Sequence, residues 1–144
     1  MLNSNGDKSN NSHIFPTGTH CSVVDFDVLQ DGFLGVTVEG MHCVSIDTIS
    51  TETDGLRIGE CNKVEPWGCD VDLELLHPMN KRLEEIFDKY PEISSLYNEL
   101  KFNDPIWVIN RWIELLPVGA KQKQYFLEQQ DCTKVIKYLN ELIE

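Results

Sequence analysis

Two Asp-Gly dipeptides, Asp31-Gly32 and Asp54-Gly55, each lie between stretches of β-branched and apolar residues. Glycine takes a positive φ without steric cost, so Asp-Gly in this setting is a strong signal for a tight hairpin turn. Two in succession commit the first half of the chain to an antiparallel meander. Thr19–Leu29 reads as the first strand. Cys21 and Val23 fall on one face and Val24, Phe26 and Val28 on the other, so the alternation changes phase, which points to a bulge or to a strand buried on both faces. Phe33–Glu39 is the return strand, with Leu34, Val36 and Val38 on one face. Gly40 is expected to end it. A further strand should run from Val44 to Ile49, and another from Leu56 to Val64. Short strands joined by tight turns should curl into a sandwich or small barrel. Residues 1–13 are rich in Asn, Ser and charge and read as a loop or frayed terminus.

Glu65-Pro66-Trp67-Gly68 marks a change of period. Pro78 suits the first turn of a helix, with Met79, Leu83, Ile86, Phe87 and Tyr90 as its apolar stripe and Pro91 as its stop. Residues from Glu92 to Leu100 add a turn or two. Asp104-Pro105 is an N-cap followed by proline, and it opens a helix through Leu116 that is apolar nearly all round. Such a helix belongs at the buried centre. Ala120–Gln129 is a third helix. Asp131 caps a fourth, with Val135, Ile136, Leu139, Leu142 and Ile143 in a helical stripe. The reading is an α+β protein with a β-rich subdomain at 1–68 and a helical subdomain at 69–144.

Charge restricts the partners. The 144 residues hold 12 basic and 24 acidic side chains, a net charge of −12. Residues 1–74 account for −10 of it. A surface so negative repels phosphate backbones, which argues against nucleic acid. Five cysteines, an odd number with no C-x-x-C pair, read as reduced cytosolic thiols. Met1–Asn10 lacks the basic and apolar regions of a signal peptide, and no apolar run nears the ~20 residues of a membrane helix. A cytoplasmic protein off the membrane is expected.

The stretches Gly18-Thr19 through Val24, Asp31-Gly32-Phe33-Leu34-Gly35-Val36 and Val38-Glu39-Gly40 resemble the core of the Lon protease N-terminal, substrate-binding domain. Leu116-Pro117, Lys123-Gln124, Leu127-Glu128 and Asp131 resemble that family's helix junction. The resemblance covers residues 14–144 and includes small free-standing proteins of the family. It implies a bacterial protein with an antiparallel, PUA-like β pseudo-barrel followed by a helical bundle. It also implies a module that engages polypeptide substrates and helps assembly, with ATPase and protease activities in other domains. Three departures stand out. Met41-His42-Cys43-Val44-Ser45 replaces an Arg-aromatic pair, and Val135 stands near the place of another Arg. The family's opening strand, turn and helix start are absent, and Met1-Leu2-Asn3 aligns inside a later strand. An incomplete barrel is therefore expected, extended by an upstream start or completed by self-association.

No catalytic apparatus is visible. There is no G-x-x-x-x-G-K-[ST] loop to cradle phosphates, and the family's Ser-Lys dyad lies in a domain this chain lacks. His20-Cys21 and His42-Cys43 are adjacent, but neighbours on a strand point to opposite faces, so each reads as a small buried cysteine beside a surface histidine. Cys61, Cys69 and His77 are too loosely spaced for zinc. Asp25 with Asp27 and Glu84 with Glu85 read as solvated faces. No cofactor, metal or catalytic residue is expected. The candidates for client binding are Phe33 at a hairpin tip, Met41 beside Gly40, and Trp67 between the halves, where packing competes as its role. Unfolded or client polypeptides, basic ones favoured, would meet these and the groove between the halves. The alternative is a small-molecule binder or enzyme using the cleft between the subdomains.

Overall fold

The computed structural model describes residues 2–68, 71 and 73–143. They divide into two units, Met1–Pro66 and Trp67–Glu144. In the first unit both Asp-Gly turns form, with φ of 82° at Gly32 and 90° at Gly55. The amides of Phe33 and Leu56 donate to the Asp31 and Asp54 side chains at 3.2 and 2.9 Å. Each aspartate thus holds its turn through its own side chain while glycine supplies the left-handed backbone.

Three antiparallel strands follow: β1 (Thr17–Val28), β2 (Leu34–Thr51) and β3 (Arg57–Lys63), in the order β1-β2-β3. The bulge expected near Val24 is present, since Val23 pairs with Val38 and Asp25 with Thr37, leaving Val24 unmatched. A second irregularity skips Met41, between Cys21↔Gly40 and His20↔His42. A third skips Asp47. Gly40 does not end the strand as expected. β2 runs through it, and a Cβ at Gly40 would stand 3.3 Å from Thr19 Cγ2, so glycine makes room for the neighbouring strand. The strands expected before and after Gly40 are one. Among the described residues β1 and β3 each pair only with β2.

The N-terminal segment is not frayed. Leu2 bridges Ile14, and the Asn3 amide donates to His13 O at 2.6 Å. Asn11, at φ 61°, accepts from Arg57 Nε at 2.9 Å, which ties the loop to β3.

The second unit contains α1 (Leu73–Lys89), α2 (Pro91–Ser94), α3 (Pro105–Leu115), α4 (Ala120–Leu127) and α5 (Thr133–Ile143). Pro78 lies inside α1 instead of opening it. Leu76 is the reason: it extends the Met79, Leu83, Phe87 stripe back by one turn and is fully buried. Tyr90, assigned to that stripe by spacing, is exposed. Asp104 Oδ1 caps α3 by accepting from the amides of Ile106 and Trp107 at 2.9 and 3.2 Å. As its all-round apolarity demands, α3 buries Val108, Ile109, Trp112 and Ile113. They pack with Phe126 of α4 and with Val135, Ile136, Leu139 and Ile143 of α5, whereas Leu142 faces outward. Phe87, Tyr97, Phe102 and Trp107 form an aromatic group with centroids 5.3–5.8 Å apart. Arg111 stacks on Tyr97 at 4.7 Å and pairs with Glu114 at 2.6 Å. Glu114 also accepts from the Tyr97 hydroxyl, and partial burial together with that carboxylate raises the tyrosine's pKa.

Candidate functional site

The pairing register sorts the β1–β2 ribbon into two unlike faces. Leu34, Val36 and Val38 alternate without interruption along β2, so they share one side. Opposite them stand Val28, Phe26 and Val23. Directly opposed residues lie on the same face, so six apolar side chains form one row. The Val24 bulge matters here: it moves Val23 into register with Phe26 and Val28, which simple alternation assigns to the other face. Asp25 opposite Thr37, Asp27 opposite Gly35 and Ser22 opposite Glu39 make the second face polar.

Among the described residues of the first unit, nothing covers the apolar row. Phe26 and Val28 are each 70% exposed, and Val23, Leu34, Val36 and Val38 range from 49 to 63%. A sheet face of this composition normally packs against another layer. The edges are open as well, since among the described residues β1 and β3 each pair with β2 alone. An unpaired strand edge presents a row of amides and carbonyls that can take up another extended chain.

Phe33 lies at the tip of the hairpin, 71% exposed, one residue before the row begins. Met41 is the unmatched residue of its bulge and is exposed. Trp67 is half-buried against the core of the helical unit. Trp107 and Trp112 are core residues as expected, and the Trp112 indole donates to Met79 O at 3.2 Å.

The cysteines differ from expectation. Cys21 is exposed rather than buried, because its strand has no covering layer, and its thiol donates to Thr19 O at 3.4 Å. Cys43 is half-buried, which raises its pKa. Cys21, Cys43 and Cys61 are free thiols. Cys132 is buried and disulfide-bonded, where a reduced thiol was expected. Of the zinc set considered from spacing, Cys69 lies outside the described residues. Among the described residues no three His, Cys, Asp or Glu side chains group as a metal site, and no helix is long and apolar enough to cross a membrane.

Spacing arguments missed one pair. His20 and His42 stand directly opposite each other, with ring centroids 4.9 Å apart. The signal was present in the sequence. His20 lies eight residues before Val28 and His42 eight residues after Leu34, the pair that flanks the turn. One bulge in each strand cancels the other and keeps the count equal.

The model of the ATP-dependent protease La (LON) substrate-binding domain matches residues 2–144. Among solved structures, a Lon N-terminal domain protein from Xanthomonas campestris is similar with a TM-score of 0.67 at 23% identity, over 88% of this chain and 68% of that one. The N-terminal domain of Mycobacterium avium complex Lon protease is similar with a TM-score of 0.62 at 16% identity, over 89% of this chain and 69% of that one. No curated protein sequence matches. A three-stranded antiparallel sheet, a helical unit after it and a family match across the chain agree: this chain belongs to the ATP-dependent protease La (LON) substrate-binding domain family.

Proposed function

We propose that the chain is a non-catalytic module that captures polypeptide segments on the apolar face of its β1–β2 ribbon. The observation that carries this reading is the uncovered row of Val23, Phe26, Val28, Leu34, Val36 and Val38. Clusters of exposed apolar side chains rimmed by polar groups are the usual mark of a protein-binding surface. Phe33 lies beyond one end of the row and Met41 beyond the other, and both serve as anchors. Trp67, half-buried on the helical unit, is a separate contact candidate. Residues 1–66 hold ten acidic and three basic side chains, so basic clients are favoured. The reading of no catalysis is supported by the hydrogen bond of the exposed Cys21 thiol, which runs to the Thr19 carbonyl rather than to a base.

The same exposed face and open edges support a PUA-like pseudo-barrel completed by further strands, and they support self-association. Free thiols at Cys21, Cys43 and Cys61 favour a cytoplasmic setting, while the Cys132 bond runs against it.

The test is capture of a reduced, alkylated unfolded protein by the intact chain. Phe33→Ala with Met41→Ala, and separately Phe26→Ser with Val36→Ser, should weaken capture severalfold at unchanged melting temperature. Undiminished capture in both double variants, or loss of folding in step with loss of capture, would refute the reading.

A further inference from the structure

We infer that His20 and His42 form a two-point site for a divalent first-row cation that prefers imidazole, such as Zn²⁺ or Ni²⁺. The inference does not depend on polypeptide binding.

The two residues are cross-strand partners in the β1–β2 ladder, so their backbones are held at fixed separation by the sheet. Their rings already meet, with centroids 4.9 Å apart and planes inclined at 43°. A cation bound at the ~2.1 Å distance usual for imidazole needs two nitrogens about 3 Å apart for adjacent coordination positions. Each ring nitrogen lies off its centroid, so rotation about the side-chain bonds can turn one nitrogen of each ring toward the other and shorten the gap. His20 is exposed and His42 half-buried, so water reaches the pair and can fill the remaining positions. The bulge at Met41 falls immediately beside His42. Bulges re-aim neighbouring side chains and are common next to functional sites.

Electrostatics favour a cation here. The unit around the pair carries a balance of −7, with ten acidic and three basic side chains in residues 1–66. Glu39, paired with Ser22, stands three residues before His42 on the same strand. Two protein ligands with open coordination make an exchangeable site rather than a closed structural one, which needs four. Imidazole ligands select zinc, copper and nickel over magnesium and calcium. Because both ligands must be in register, the cation binds the folded hairpin and not the unfolded strand, and it should clamp β1 to β2.

The experiment uses the intact chain and two probes, Ni²⁺ and Zn²⁺ as chlorides, in separate titration calorimetry. Mg²⁺ serves as the negative probe. A single imidazole-dependent site is expected, weakened at least tenfold by His20→Gln and equally by His42→Gln, and unchanged in His77→Gln on α1. Amide exchange along Thr19–Val23 and Val38–Val44 should slow when Ni²⁺ is added to the native chain and stay constant in either ribbon variant. Hairpin amide shifts unaltered in the metal-free Gln variants establish that the fold is kept. Should those shifts change, His20→Asn and His42→Asn take their place with the same expectation. Equal affinity in any one folded ribbon variant, or no exchange slowing on saturation, overturns the site.

Discussion

Single side chains fix the ends of elements in this chain, and their removal has separable effects. Asp104 accepts two amides at the start of α3, so Asp104→Ala should cost about 1 kcal/mol of the helical unit's stability, read by urea titration. Asp131 acts similarly for α5. The Thr133 amide holds its carboxyl below the ordinary carboxylate value. A carboxylate depressed in the folded state adds stability above its unfolded pKa of about 3.9 and loses it as pH falls through the lower folded value. The first turn of α5 should therefore open below about pH 3.9, seen as faster exchange of the Thr133 amide, and Asp131→Asn should flatten that dependence. Gly6 is fixed by close approach instead. A Cβ there would lie 2.3 Å from His13 Cα and from Ser12 O, both backbone atoms that cannot rotate away. Gly6→Ala should break the Leu2–Ile14 bridge and free the Asn3 amide in exchange measurements. The caps were legible in sequence because Asp before Pro or before an apolar stripe has one local meaning. The Gly6 contact was not, because it depends on where His13 returns.

At the scale of elements, the helices and strands divide sharply in what holds them. Ile109 is fully buried, so Ile109→Ala should cost about 2–5 kcal/mol and lower the helical melt. Val36 is about half-exposed on an uncovered face, so Val36→Thr should change stability by no more than about 0.5 kcal/mol in the same assay. The sequence periods announced both kinds of element, and the phase change at Val23 and Val24 announced a bulge that the register contains. Two signals misled. Gly40 reads as a strand breaker in isolation, but within a ladder it is the residue that lets Thr19 close up. Pro78 reads as a helix start, but the apolar stripe continues to Leu76, and burial of that leucine outweighs the missing amide. The apolar row could be half read: Leu34, Val36 and Val38 alternate in sequence, whereas the partners they face follow only from the register.

In the whole molecule, every buried hydrophobic side chain among the described residues lies at Leu76 or beyond, and the buried residues of the first unit are His13 and Thr17. Stability should be distributed accordingly. Denaturant unfolding is expected in two steps, the sheet amides exchanging first and the helical signal lost later, and a single transition with coincident probes would contradict this. The division into strands and then helices was legible because the period changes at one place. How thinly the strands are buried was not, because apolar alternation has the same appearance in a covered sheet and an uncovered one. The three unmatched residues, Val24, Met41 and Asp47, have a consequence for chain length. Each is the member of its strand left out of the backbone pairing, so excising any of them keeps the ladder register, although loss of Asp47 also removes the hydrogen bond it accepts from Asn62. Removing Ser22, Thr37 or Thr48 instead forces the rest of the strand to slip. Homologues that differ in length by one residue should carry their gaps at those three positions.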